Sequence, residues 1–266
     1  MRRLRPWIGP LYAILVIAFL LSPLLIVIVV SFSADEFVAF PPAGFSLRWF
    51  EALRHNEDML RAFLLSAEVA ALAAAIGLVV GLPTALLLVR YRWRADMALR
   101  ALALGPLILP EVLLGLALLQ FSESVLRQAP QFWYLVVAHG LIVLPFCVQM
   151  ISNALTGLNL EVEDAAQTLG ATPLQTFWLV TLPSLRNGVA SALLLSFIFS
   201  FDNVAISLFL TSPGLATLPI RMYEHATYSS DPLLAAISAV LIVLGMAFML
   251  LIGRLRGFGN VAHSSR

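Results

Sequence analysis

Apolar residues in this chain are grouped in long, nearly uninterrupted stretches separated by short polar segments. Six such stretches lie approximately at 11–32, 62–89, 101–121, 132–153, 187–210 and 233–253. Each reaches the roughly 20 residues that a helix needs to cross about 30 Å of hydrocarbon. Lipid offers the backbone no hydrogen-bond partners, so a spanning segment must be helical. The pattern predicts an all-α polytopic membrane protein with six transmembrane helices, forming a single transmembrane domain over residues 1–266.

The composition agrees with this pattern. Hydrophobic residues make up 61% of the chain and charged residues 12%, whereas soluble domains carry about 25% charged residues. The first apolar stretch, of about 22 residues, exceeds the 7–15 of a cleavable signal sequence, which indicates a retained anchor.

The placement of charge predicts the topology. All 16 basic residues are Arg, and with six spans eleven of them fall on the side that holds both termini. These are Arg2, Arg3, Arg5, Arg90, Arg92, Arg94, Arg100, Arg186, Arg254, Arg256 and Arg266. The other side holds Arg48, Arg54, Arg61, Arg127 and Arg221. The positive-inside rule therefore predicts cytoplasmic termini and a cytoplasmic loop over 154–186.

Several local features refine the helices. Leu47, Phe50 and Leu53 recur at helical spacing in the first outer loop and predict a short helix on the membrane surface over 46–53. Gly77 and Gly81 indicate close helix packing in the second span. Four prolines are expected to kink or break their helices or to be tolerated there, namely Pro83, Pro106, Pro110 and Pro145. The outer segment 211–232 is expected to dip toward the membrane at Pro213-Gly214.

The loop at 159–183 is largely polar and predicts two short helices joined by a turn. Asn159 is a suitable N-cap for the first helix, and Gly170 suits the left-handed turn that ends it. Thr172, Pro173 and Gln175 predict the start of the second helix through a capping box. An apolar ridge follows on one face of this helix, formed by Leu174, Phe177, Trp178 and Leu182.

The residues alone leave two interpretations of this ridge open. Two capped helices with exposed aromatic side chains form a surface that suits a partner protein. Alternatively, Phe177 and Trp178 pack against the ends of this chain's own helices or lie among lipid headgroups.

A longer pattern in this loop resembles a known signature. Asp164-Ala165-Ala166, three residues, Gly170, nine residues and Val180-x-Leu182-Pro183 resemble the E-A-A-x3-G-x9-I-x-L-P motif of ABC importer permeases. Asp164 replaces Glu and Val180 replaces Ile. The resemblance implies that this segment is a coupling helix docking on a cytoplasmic ATPase through Asp164, Ala165, Ala166, Gly170, Thr172, Phe177, Trp178, Leu182 and Pro183.

The resemblance extends over nearly the whole chain. Four further segments resemble polyamine-type permeases, nearest to the second permease of spermidine/putrescine importers: Phe40–Phe50, Pro110–Val112, Ser200–Val204 and Leu218–Tyr223. Glu111 and Asn203 stand where that family has Asp. The likeness implies the type I ABC importer permease fold in a bacterial inner membrane. It also implies a second homologous permease, two ATPases that hold ATP and Mg²⁺, and a periplasmic binding protein.

The chemistry of the chain itself excludes several classes. Without a Lys it cannot form a Walker A phosphate loop. His55, His139, His225 and His263 lack metal-ligand spacing. We expect no enzyme activity, no bound cofactor and no nucleic-acid partner, and we expect the single Cys147 to be a packed thiol.

Three carboxylates within the spans, Glu68, Glu111 and Asp202, are candidates for the cargo path, because charge at membrane depth is costly unless it is used or paired. Asn203 adjoins them, and Phe201 offers a face to a cation. Acidic residues without a central Arg favour a cationic cargo. The alternatives are an interfacial Glu68, and bonds from Glu111 and Asp202 to helix N–H groups or neighbouring Ser and Asn.

The expected function is ATP-driven import of spermidine, putrescine or a related organic cation by alternating access. One alternative is the same machine carrying another cargo, such as an aminoalkylphosphonate. The more distant one is an ATP-independent carrier that uses Glu111 and Asp202 as proton relays.

Overall fold

The computed structural model describes residues 8–91, 96–125, 130–212 and 214–260. Within these ranges the chain is helical, and its only extended pairings are two isolated bridges, Ser33–Phe45 and Ser212–Leu215. Several residues used above lie outside the described ranges, namely Arg2, Arg3, Arg5, Arg92, Arg94, Arg127, Pro213, His263 and Arg266. The predicted all-α class is confirmed.

The helices, in chain order, are α1 (Ile8–Ser31), α2 (Arg48–Arg54), α3 (Glu57–Arg90), α4 (Asp96–Leu104), α5 (Glu111–Val125), α6 (Gln131–Thr156), α7 (Leu160–Thr168), α8 (Pro173–Thr176), α9 (Leu182–Ser184), α10 (Arg186–Phe201), α11 (Ser207–Leu210), α12 (Leu218–Tyr228) and α13 (Leu233–Asn260). A 3-10 turn, Gly105–Leu107, follows α4, and a π-helical stretch, Phe177–Thr181, joins α8 to α9.

Three helical segments in the described part are long and apolar enough to cross a membrane: Gly9–Ser31, Glu57–Arg90 and Gln131–Thr156. Two bent pairs raise the number to as many as five if each pair counts as one span. Within α13, the apolar stretch Leu233–Ala247 is shorter. The total of six spans stays a prediction.

The described helices belong to two compact units, residues 1–60 with 222–266 and residues 61–221. In the first unit, α13 packs against α1 and α2. The loop after α1 is held at its base by backbone hydrogen bonds from Ala34 N to Gly44 O (2.9 Å) and from Ser46 N to Phe32 O (2.7 Å). The helix predicted over 46–53 is present as α2.

The second unit has a core of α3, α6 and α10 side chains. Ala70 and Ala73 of α3 are fully buried, which agrees with the close helix packing predicted for this span. A Cβ placed on Gly81 would lie 2.8 Å from the Cβ of Cys147 in α6. The two helices therefore approach to a distance that only glycine permits at this point. Cys147 is fully buried, with its Sγ 3.1 Å from Ser196 Oγ of α10, so the expected packed thiol is confirmed.

The third predicted span, 101–121, is not one helix. The segment Asp96–Leu107 meets α5 at an angle of 102°. Pro106 and Pro110 explain the break, because neither donates a backbone hydrogen bond and each restricts the residue before it. By contrast, α3 and α6 run without interruption through Pro83 and Pro145.

The fifth predicted span, 187–210, is also interrupted. Helix α10 ends at Phe201, and only the single turn of α11 follows, at Ser207–Leu210. The Oδ1 atom of Asn203 accepts a hydrogen bond of 2.9 Å from Ile206 N. Asn and Asp offer the backbone such local partners in place of helical ones, which accounts for the break at Asp202-Asn203.

Candidate functional site

The loop at 159–183 has the local structure that its sequence predicts. Asn159 Oδ1 accepts a hydrogen bond of 3.0 Å from Glu161 N and caps α7. Gly170 has a φ angle of +96°, in the left-handed region. Thr172 and Gln175 form a complete capping box at the start of α8. These bonds give the loop a defined shape without help from a partner.

The second helix of this loop, which begins at Pro173, departs from the prediction. The π-helical stretch Phe177–Thr181 interrupts it, and Leu182 N bonds to Phe177 O, five residues back. Pro183 explains the wide turn, because it has no N–H for the carbonyl of Leu179 and its ring crowds that carbonyl. The regular spacing assumed for the apolar ridge is therefore wrong between Phe177 and Leu182.

The residues exposed on the ridge therefore differ from those predicted. Leu174 is 67% exposed, Trp178 is 57% exposed and Leu179, which the prediction omitted, is 74% exposed. Phe177 and Leu182 are half-buried. The rings of Phe177 and Trp178 meet edge to face with centroids 5.3 Å apart. Trp178 therefore contacts Phe177 on one side, and its exposed side is available to a partner or to the headgroup layer.

The remaining motif residues lie on this same pair of helices. Asp164 and Ala165 are exposed on α7, and Ala166 beside them is half-buried. Thr172 and Pro183 are exposed at the two ends of the second helix. The structure thus brings the motif residues into one short segment whose outer surface is both apolar and acidic.

One contact in this segment was not predicted from the sequence. Glu163, only 6% exposed, turns toward the bundle and forms a bidentate ion pair with Arg90, the last residue of α3. Arg90 Nη2 donates to Glu163 Oε1 at 2.6 Å, and Thr181 Oγ1 donates to the same oxygen at 2.7 Å. The hydrogen bond from Arg90 holds the pKa of Glu163 below its ordinary value, and the bond from Thr181 adds to this.

A weak signal for this contact is present in the sequence. Glu161, Glu163 and Asp164 all lie in the first turns of α7, where the helix dipole favours carboxylates. Such a position does not reveal which of the three faces inward, and only the folded arrangement of α3 and α7 identifies Glu163.

The cargo-path candidates are only partly brought together. Glu111 begins α5 at the break and accepts a hydrogen bond of 2.9 Å from Asn203 Nδ2. Asn203 is 6% exposed, whereas Asp202 is exposed at the end of α10 and Glu68 is exposed on α3. The described residues show no hydrogen bond from Glu68 or Asp202 to Glu111. The expected alternative of a neighbouring Asn as partner is therefore realised for Glu111.

Aromatic rings pack beside the end of α10. Phe201 is half-buried, stacked on Phe197 with centroids 5.9 Å apart and edge to face with Phe63 at 5.7 Å. Its ring therefore has aromatic neighbours within the chain.

A second missed feature is the buried His139 of α6. It is 1% exposed, with Nδ1 2.8 Å from Ser200 Oγ and Nε2 3.1 Å from Ser207 Oγ. Ser200 and Ser207 flank the break between α10 and α11, and Ser207 Oγ also donates to Asn203 O at 2.9 Å. His139 therefore connects α6 to both sides of the break that carries Asp202 and Asn203.

Comparison with known proteins supports the family resemblance. Residues 77–256, more than half of the chain, match the protein family described as binding-protein-dependent transport system inner membrane component. The chain is 31% identical over 233 residues to the putrescine transport system permease protein PotI of Escherichia coli, covering 84% of this chain and 82% of that protein.

Two further relatives match over most of their length. The spermidine/putrescine transport system permease protein PotC of Haemophilus influenzae is 30% identical over 240 residues, covering 90% of this chain and 93% of that protein. The putative 2-aminoethylphosphonate transport system permease protein PhnV of Salmonella typhimurium is 27% identical, with 93% of each covered.

The fold matches a solved transporter. A chain from a bacterial ABC transporter involved in the import of the acidic polysaccharide alginate superimposes with a TM-score of 0.66. The match covers 94% of this chain and 95% of that chain at 14% identity.

Proposed function

This chain belongs to the family of binding-protein-dependent transport system inner membrane components, and from this premise we propose that it carries a polyamine across the inner membrane. It is an ABC importer permease and a multi-pass protein of the inner membrane. The import of spermidine, putrescine or a related organic cation, driven by ATP hydrolysis on a partner subunit, is the function that its site supports best.

The observation that carries the coupling role is the exposed ridge on a capped segment. Leu174, Trp178 and Leu179 are exposed, while the caps at Asn159 and Thr172 give their helices a defined shape. A surface that needs little ordering loses less entropy when it binds. The segment therefore suits a groove on a cytoplasmic ATPase, with Asp164 and the neighbouring motif residues at its edge.

The proposed assembly contains a second homologous permease, two ATPase subunits and a periplasmic binding protein. ATP and Mg²⁺ would lie on the ATPase subunits, and this chain would bind no cofactor. With six spans and cytoplasmic termini, the loop at 159–183 would lie inside. The ion pair between Arg90 and Glu163 supports this placement, because it puts the end of α3 on the same side as the loop.

The proposed cargo path passes the break between α10 and α11. Asp202 is exposed there, and Glu111 and Asn203 meet beside it. No Arg lies in the middle of a predicted span, so carboxylates at that depth favour a cation over an anion. Closure of the ATPase pair on ATP would turn the permeases outward through the docked segment, and hydrolysis would return them inward.

A second cargo is supported by one comparison. The similarity to PhnV extends over 93% of the chain, so a small aminoalkylphosphonate is the alternative. It carries an amine that the same carboxylates would recognise, and the transport machinery would be unchanged.

The test uses the complete complex in liposomes, with loaded binding protein outside and ATP inside. Uptake of radiolabelled putrescine or spermidine is expected, together with stimulated ATP hydrolysis. Uptake of 2-aminoethylphosphonate alone would replace the polyamine assignment. Uptake by this chain alone under a proton gradient would contradict the ATP-driven mechanism.

A matched pair of variants tests the docking ridge. Trp178 and Trp133 are similarly exposed, 57% and 51%, and each lies edge to face with the preceding Phe at 5.3 Å. Trp178→Ala is expected to lower co-purification of the ATPase and stimulated hydrolysis, because aromatic anchors dominate such interfaces. Trp133→Ala, at the opposite end of α6 from the loop, serves as the control. Equal effects of the two substitutions would contradict the docking role.

A further inference from the structure

Glu163 and Asp164 are adjacent on α7 but have opposite environments. Asp164 is exposed, whereas Glu163 is 6% exposed and faces the bundle. The outer surface of α7 therefore carries the motif, and its inner surface carries one buried carboxylate. The motif that identifies the family begins at Asp164 and does not include Glu163.

The carboxylate of Glu163 joins three elements. Both of its oxygens accept hydrogen bonds from Arg90, 73 positions earlier at the end of α3. Oε1 also accepts from Thr181, 18 positions later, in the π-helical stretch. Bidentate pairs between Arg and carboxylate fix direction as well as distance. The arrangement therefore holds both helices of the loop against the end of α3.

Helix α3 extends this connection toward the other side of the membrane. It runs unbroken over 34 residues from Glu57 to Arg90. Ser66, near its opposite end, accepts a hydrogen bond of 2.8 Å through Oγ from the N–H of Leu218. At 1.5 Å per residue, Ser66 and Arg90 are about 36 Å apart along the helix axis. A single continuous helix therefore links the ion pair at Arg90 to the segment that contains Leu218.

We propose that Glu163 is a positioning residue that clamps the loop at 159–183 to α3, so that movement of the docked loop is transmitted to α3 as a rigid body. This proposal rests on the proposed function, because it requires a partner that moves the loop. Without the clamp, the partner would still dock on Trp178 and hydrolyse ATP, but the loop would move without carrying α3 with it.

The test compares Glu163→Gln with Glu161→Gln in the reconstituted complex. Both carboxylates lie on α7, but Glu161 is exposed, and among the described residues its carboxylate accepts a hydrogen bond from Asn159 Nδ2 (3.3 Å) at the cap of its own helix. The measured quantities are co-purification of the ATPase, the rate of ATP hydrolysis, and the import ratio, which is the number of cargo molecules imported per ATP hydrolysed. Glu163→Gln is expected to retain assembly and hydrolysis and to lower the import ratio about fivefold or more, the range of a coupling between distant sites. Glu161→Gln is expected to leave the ratio unchanged.

Exchange of the two charges provides a rescue experiment. In the double variant Arg90→Glu with Glu163→Arg, the pair is restored in reverse, and the import ratio is expected to recover from the value of either single variant. Thr181→Val removes only the hydroxyl contact and leaves the ion pair, so it guards against the case in which Glu163→Gln does not assemble. An intermediate loss of the import ratio is expected for it.

The outcomes separate this proposal from the proposed function. Import and hydrolysis that fall in proportion in both Glu163→Gln and Thr181→Val would show a loss of folded complex without uncoupling and would overturn the clamp. An assembled Thr181→Val or Glu163→Gln complex with the wild-type import ratio would overturn it as well. If Trp178→Ala has no effect and wild-type import does not depend on ATP, the proposed function itself fails.

Discussion

Asn203 Nδ2 donates a hydrogen bond of 2.9 Å to Glu111 Oε2, joining two residues that are 92 positions apart. The same amide accepts from Ile206 N through Oδ1. One side chain thus satisfies a carboxylate at the start of α5 and a free backbone N–H after the end of α10. The two broken helices are connected at the points where each is broken.

Asn203→Ala is expected to destabilise the protein. It removes both hydrogen bonds and leaves a partly buried carboxylate without its donor, which costs about 1–3 kcal/mol. The measurement is thermal unfolding of the purified protein in detergent. Asp202→Asn, on an exposed neighbour, is the control and is expected to change the unfolding temperature little. A smaller decrease in unfolding temperature for Asn203→Ala than for Asp202→Asn would contradict a stabilising role of the hydrogen bonds of Asn203.

Gly188→Ala is expected to destabilise the contact between α6 and α10. A Cβ at position 188 would overlap the methyl group of Ala154, which has no rotamer through which to move away. Overpacking of this kind costs about 1–3 kcal/mol. Gly245→Ala is the matched control in another helix, because no atom lies within 4 Å of the added carbon. Equal unfolding temperatures for the two variants would show that α6 and α10 can move apart without a loss of stability.

Gly170→Ala is expected to loosen the loop at 159–183. Gly170 has a φ angle of +96°, and an L-residue held in that region is strained by about 1–2 kcal/mol. Hydrogen–deuterium exchange of the amides in α7 and α8 is expected to accelerate, with weaker co-purification of the ATPase. Gly157→Ala is the control, since Gly157 has a φ of −86° and its nearest atom to an added Cβ is 3.6 Å away. Unchanged exchange in Gly170→Ala would show that the turn is free to adopt another conformation.

The ion pair of Glu163 predicts a pH dependence of stability. Its hydrogen bond from Arg90, aided by the one from Thr181, holds the pKa of Glu163 below the ordinary value of 4.5. The stabilisation is therefore fully present above pH 4.5 and is lost as the pH falls through the lowered folded-state pKa. The unfolding temperature of the wild type is expected to exceed that of Glu163→Gln at neutral pH, and the difference is expected to shrink on acidification below pH 4.5.

Glu161→Gln is the companion measurement for this pH series. Its carboxylate is exposed, so the difference between this variant and the wild type is expected to stay small at every pH. If the difference in unfolding temperature between wild type and Glu163→Gln grew as the pH falls, the ion pair between Arg90 and Glu163 would not be the source of the stabilisation.

Local chemistry made much of this structure predictable. Three local features appear as expected: the cap at Asn159, the cap at Thr172 and the left-handed turn at Gly170. Each depends only on residues within four positions of it. The apolar run length also identified the helical class. Such signals are short in sequence and do not depend on the rest of the chain.

Features that depend on distant residues were not predictable in the same way. The inward direction of Glu163 depends on where α3 ends, and the role of His139 depends on two serines more than 60 positions away. The breaks near Pro110 and Asn203 carried local signals, but long apolar runs concealed them. Hydrophobicity measures how much of a segment is lipid-compatible, and it does not record whether the helix is continuous.

The close approach of α3 and α6 at Gly81 has a practical consequence for spectroscopy. Cys147, the single cysteine of the chain, is sealed beneath this contact and fully buried. Thiol-directed fluorophores and spin labels added to the folded protein should therefore not attach to it. Reporter cysteines introduced at exposed positions such as Leu179 should be labelled selectively in the otherwise native chain, so that distances during the transport cycle can be followed without first removing the natural thiol.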